Sequence, residues 1–106
     1  MKTITDLKDF CPKTTIVIDG DANFAAYPEI TDLGNLQEIR GTAYFGNSKV
    51  QDLGNLQTIG GSAFFGFCQI KDLGNLQTIG GSAFFNAYFG KRTDLQAEWE
   101  AKQKNK

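Results

Sequence analysis

The sequence predicts a mainly β protein: a right-handed parallel β-solenoid of about four coils with a short helical cap at each end. Two observations predict it. The string Asp-Leu-Gly-Asn-Leu-Gln begins at Asp32, Asp52 and Asp72, a fixed period of 20 residues. A constant period of this size marks coils that stack on one another. Within each coil the apolar spacing changes from three residues to two, which carries a turn-like segment into a short strand.

At 106 residues the chain fits one domain. It divides into an N-terminal cap over 1–15, a repeat solenoid over 16–90, and a C-terminal capping helix with a basic tail over 91–106. In the N-terminal cap, Ile4, Leu7 and Cys11 are spaced like one face of a short helix that Pro12 stops. A degenerate first coil follows in Ile16, Ile18, Gly20, Ala22, Phe24 and Ile30, with about one extra residue near Pro28.

The next coil points Leu33, Leu36, Ile39, Ala43, Phe45 and Val50 inward. Leu53, Leu56, Ile59, Ala63, Phe65 and Ile70 do the same one period later, and Leu73, Leu76, Ile79, Ala83 and Phe85 one period after that. Gly60 and Gly61 fall where the chain changes direction between the turn-like segment and the strand. Thr93, with Gln96 three residues on, is a capping-box signal. It opens a helix that places Leu95 and Trp99 on one side as a lid.

Stacked strands lie about 4.8 Å apart, so repeated side chains form ladders. Asn35, Asn55 and Asn75 make one, bonded to neighbouring backbone in the turn. Asp32, Asp52 and Asp72 make another. One carboxylate per layer, near Lys49 and Lys71, reads as a solvated stripe; calcium needs several oxygens converging on one point.

Composition removes several function classes. The net charge is −1 and there is no histidine, so the commonest general base and metal ligand is missing. Two cysteines, Cys11 and Cys68, are too few for a structural zinc site or a disulfide scaffold. The paired glycines open no helix and make no phosphate loop. The expectation is a non-enzyme without cofactor or metal. Neither an apolar leader nor a membrane-spanning run is readable, which points to a reduced, cytoplasmic location.

Function is therefore sought in what the coils display. Between the inward Ala and Phe of each strand stand Tyr44, Phe64 and Phe84, with Asn23 in the first coil. These three residues point outward as an aromatic column flanked by Thr42, Ser62 and Ser82. Soluble monomers avoid contiguous exposed apolar patches unless the patch binds something. A partner protein, a second copy of the chain and the folded-back C-terminal helix are all open as its cover, and a one-residue register error would bury it. The segments after the strands vary most: Gly46-Asn47-Ser48, Gly66-Phe67-Cys68 and Asn86-Ala87-Tyr88-Phe89. Phe67 extends the surface there, and Tyr88 and Phe89 either extend it or plug the coil edge. Residues 91–106 hold Lys91, Arg92, Lys102, Lys104 and Lys106 against Asp94, Glu98 and Glu100. A basic tail beside aromatics admits single-stranded nucleic acid, but the acidic body of the solenoid and the Thr and Ser neighbours disfavour it.

The units, as Leu-x-x-Leu-x-x-Ile-Gly-Gly-x-Ala-x-Phe, resemble short leucine-rich repeats and abbreviated turns of the receptor L domain. They are most similar to small bacterial and phage proteins with repeated LGNLQTIGG, and the likeness covers about residues 16–89. It implies a recognition scaffold whose strand face meets the partner. One departure stands out: the position held by Tyr44, Phe64 and Phe84 is often polar in such units, commonly aspartate. The resemblance further implies a host protein as partner, such as a defence nuclease or its RNA–protein complex inhibited in the manner of an anti-CRISPR protein. A homodimer with the aromatic column as its seam is the competing structural reading.

Overall fold

In the computed structural model, which describes residues 2–85 and 92–104, the chain winds into a parallel β-solenoid. Three 20-residue turns stack on an irregular first coil. The strands are β1 (Lys2–Ile4), β2 (Thr15–Ile18), β3 (Ala22–Asn23), β4 (Glu38–Ile39), β5 (Ala43–Tyr44), β6 (Thr58–Ile59), β7 (Ala63–Phe64), β8 (Thr78–Ile79) and β9 (Ala83–Phe84). They form two sheets, ordered β1-β2-β4-β6-β8 and β3-β5-β7-β9.

Register follows the repeat. Thr58 pairs Thr78, Ile59 pairs Ile79, Ala63 pairs Ala83 and Phe64 pairs Phe84, all parallel. Like residues therefore stack, and the interior fills with matched layers. Ile39, Ala43, Phe45, Ile59, Ala63 and Phe65 have no exposed surface. The inward rings of Phe24, Phe45, Phe65 and Phe85 form one continuous stack, with centroids 5.0, 5.3 and 5.2 Å apart. In the degenerate first coil, Ile16 is only half-buried while Thr15 is fully buried and accepts the Cys11 N–H.

The segment expected to be merely turn-like ends in a strand of its own at Thr58–Ile59, and again one coil to either side. Each coil thus has two strands and the solenoid two sheets. The left-handed corner residues are Gly34, Gly54 and Gly74, at φ 56°, 57° and 54°. Asp32 and Asp52 hold this corner by accepting the N–H of Gly34 and Gly54 at 2.6 and 2.7 Å. Gly60 has no such conformation; a Cβ there would sit 2.5 Å from the Arg40 carbonyl oxygen. The paired glycines are thus required by the close approach of successive coils, not by a change of direction as expected.

The N-terminal cap is not a helix. Lys2–Ile4 pairs with β2 as a strand, and only a single 3-10 turn, Leu7–Asp9, follows. An isolated helix of two turns is marginal, whereas the free edge of β2 offers ladder bonds. Ile4 and Leu7 are still buried against the core. At the other end, helix α1 (Thr93–Lys104) covers the stack with Leu95 buried and Trp99 packed on the core. The Gln96 N–H bonds the Arg92 carbonyl, which makes Arg92 rather than Thr93 the N-cap.

This lid replaces the hydrogen bonds of an absent next coil. Arg92 donates to the carbonyls of Cys68 and Ile70, both at 2.6 Å. The Glu98 carboxylate accepts the Leu73 N–H at 3.0 Å, and Lys102 donates to the Gly74 carbonyl at 2.8 Å.

Candidate functional site

The outward face of the second sheet carries the aromatic column. Ring centroids of Tyr44 and Phe64 are 5.0 Å apart and those of Phe64 and Phe84 4.7 Å apart, with interplanar angles of 2° and 7°. Tyr44 and Phe84 are 40% and 44% exposed, while Phe64 between them is half-buried by its neighbours. Alternation along each two-residue strand produces this face: Ala43 and Ala63 point in, and the next residue points out.

Because the rings lie face to face, they present edges to solvent. Only the outer faces of Tyr44 and Phe84 lack a ring neighbour among the described residues. Such a surface suits an apolar partner laid across the column. It leaves a nucleobase little to stack on.

Of the flanking residues, Thr42 and Ser62 are half-buried and Ser82 is exposed. Two are tied into the fold: the Thr42 N–H donates to the Asp21 carboxylate at 2.8 Å, and the Ser62 hydroxyl accepts the Ser82 N–H at 3.2 Å. Asn23, at the head of the column, caps the 3-10 turn Phe24–Ala26 by accepting the Ala25 N–H.

Phe67, at 52%, is the most exposed of the three large exposed hydrophobics. It borders an open groove of about 380 Å³ lined also by Asn47, Lys49, Gln69 and Arg92. Its backbone is left-handed at φ 59°, matching Asn47 at φ 61° one coil earlier. Asparagine tolerates that conformation and phenylalanine rarely adopts it. Sequence reasoning missed this, although the alignment of Phe67 under Asn47 in the repeat held the signal. Tyr88 and Phe89 lie outside the described residues, as do Lys91 and Lys106.

The thiol in this region, Cys68, is free and buried. Burial pushes the Cys68 thiol pKa up, only partly offset by its backbone and Arg92 contacts. Among the described residues no three His, Cys, Asp or Glu side chains are grouped to hold a metal ion. The aspartate stripe borders a shallow groove with Thr31, Gln51 and Lys71, and two of its carboxylates are already engaged at their corners. The asparagine ladder is structural too: Asn35 donates to the Lys13 carbonyl and Asn55 to the Asn35 side chain. Of the tail cations, Arg92 and Lys102 are spent on backbone carbonyls. No described helix is long and apolar enough to cross a membrane.

No family model, curated protein or solved structure matches this chain.

Proposed function

We propose that the protein is a non-enzymatic binding module that docks a partner protein through the outward face of its second sheet. One observation carries this reading: Tyr44, Phe64 and Phe84 stack in register on the solvent side of a rigid parallel ladder. Rigid aromatics give large contact area at low entropic cost and favour interface centres. Phe67 and the hydroxyl-bearing Thr42, Ser62 and Ser82 belong to the rim of that surface. A host protein inhibited on behalf of a phage or mobile element is the finer form of this proposal, and it rests on the sequence resemblance alone.

The test is capture of partner proteins by immobilised protein, compared with the Phe64→Asp and Phe84→Asp variants. Wild type retains a defined partner, and the variants, folded and monomeric, lose it. If instead the wild type is a dimer that those variants split, the column is a homodimer seam and the docking reading fails. Salt-sensitive retention on single-stranded RNA or DNA would move the function to nucleic acid.

A further inference from the structure

The long dimension of the aromatic face runs along the stack, not along the strands. Each strand beneath it is two residues long, so each of the three repeat coils contributes one outward ring. Thr42, Ser62 and Ser82 precede the rings by two residues, and Gly46 and Gly66 follow by two. A segment that covers all three rings must therefore lie over the column with its axis along the stack.

The spacing of the rings decides the conformation of that segment. Centroids of Tyr44, Phe64 and Phe84 follow one another at 5.0 and 4.7 Å. An α-helix rises about 5.4 Å per turn and brings i, i+3 or i+4 and i+7 onto one stripe. It meets one ring per turn with a drift of about 0.5 Å at each step. An extended strand repeats a face every second residue, about 6.6 Å, and is out of step by the third ring.

Charge decides its composition. No Asp, Glu, Lys or Arg occurs in 41–48, 61–68 or 81–85, so the stripe itself must be apolar. A charge set against this face would be desolvated without a partner. The first charged residues to either side of Tyr44 differ in their surroundings. Arg40, on the entry side of the strand, already has Asp19 and Glu38 at 3.8 and 3.7 Å. Lys49 lines the groove beside Phe67 on the exit side, and has no ion-pair partner among the described residues. No Asp or Glu occurs between Phe85 and Arg92 to supply one. Lys49 is left for an acidic group brought from outside.

We infer that the occupant of this face is an amphipathic α-helix of a partner protein, laid along the stack. Its apolar i, i+3 or i+4, i+7 stripe rests on Tyr44, Phe64 and Phe84, and an Asp or Glu on its flank meets Lys49. Resting on the docking reading above, this helix gives that reading its ligand class. Periodic apolar anchors supply affinity, and the flanking charge sets orientation.

The test selects displayed random peptides of about 16 residues, long enough to hold a helix, on the immobilised full chain, with counter-selection against Phe64→Asp. Enriched peptides should carry apolar residues at the helical period and an acidic residue on one flank. They should also gain helical circular dichroism on binding. Lys49→Glu should weaken their binding by about 3–10-fold, and Phe64→Asp by about tenfold or more. Should Phe64→Asp fail to fold, Phe64→Ala takes its place in both steps. Enriched peptides with apolar residues at every second position, or binding indifferent to Lys49→Glu, would overturn the acidic helix and leave the docking face standing. If no peptide depends on Phe64, or if mass doubles with concentration and peptide is excluded, the docking reading itself fails and the helix with it.

Discussion

Phe67 and Asn47 occupy the same turn position in successive coils and share one left-handed backbone conformation, at φ 59° and 61°. The Asn47 N–H bonds the Phe67 carbonyl at 3.0 Å, so the ladder holds position 67 in that conformation whatever its side chain. A Cβ-bearing residue pays about 1–2 kcal/mol there, and asparagine bears it best. With half its surface in water, the Phe67 ring returns little by burial. Phe67→Asn should therefore raise stability by about 1 kcal/mol, seen as a higher urea midpoint at unchanged slope. An unmoved or lower midpoint would mean the ring contributes packing that its exposure conceals.

The two aromatic columns should respond differently to truncation. Phe65 is fully buried between Phe45 and Phe85, and Phe65→Ala should cost about 3–5 kcal/mol. Phe64 is stacked as regularly but half in solvent, and Phe64→Ala should cost about 1 kcal/mol. Equal losses by chemical denaturation would contradict the inward and outward assignment.

Glycine substitution separates conformation from crowding. Gly74 is left-handed, and a Cβ there meets nothing nearer than 3.6 Å, so Gly74→Ala should cost about 1 kcal/mol. Gly54 has the same φ, but its Cβ would sit 2.8 Å from the Gly34 nitrogen. Gly54→Ala should cost clearly more, above about 2 kcal/mol, in thermal melts of the two variants side by side.

The lid gives a pH-dependent element. The Arg92 guanidinium bonds both Asp94 oxygens, at 3.1 and 2.8 Å, and holds that carboxyl below its ordinary pKa. A lowered folded pKa means stability that is present above the ordinary carboxylate range and lost as pH falls through the folded value. With the Asp94 side chain 61% exposed, the contribution is under about 1 kcal/mol. Asp94→Asn should flatten the stability profile below about pH 4 and change little at pH 7. Arg92→Met should cost more, about 2–4 kcal/mol at any pH, because it strands the Cys68 and Ile70 carbonyls.

Much of this was legible in the chain. The 20-residue period placed the coils, and the Ala-aromatic-Phe alternation placed Tyr44, Phe64 and Phe84 outside and Phe45, Phe65 and Phe85 inside. What escaped has physical causes. Thr58–Ile59 is a strand of two residues, too short for alternation to register, and it is held by ladder pairing to Glu38–Ile39 on one side and Thr78–Ile79 on the other. Ile4 and Leu7 carry a helical spacing, but a free edge at β2 outweighs the weak local preference of a short peptide. The strain at Phe67 is imposed by its neighbour Asn47 and is invisible in either residue alone.

Arg92, Glu98 and Lys102 address main-chain atoms, and main-chain atoms are the same in every winding. Beyond these bonds the lid meets the Cys68 sulfur and the apolar residues that Leu95 and Trp99 pack on, so a terminator that reads only the last winding is indifferent to how many precede it. Duplicating one unit in frame would lengthen the spool by about 4.8 Å and leave both closures intact. Growth or loss by whole periods is then the cheapest change open to this architecture, and each added period would bring another ring to the outer row.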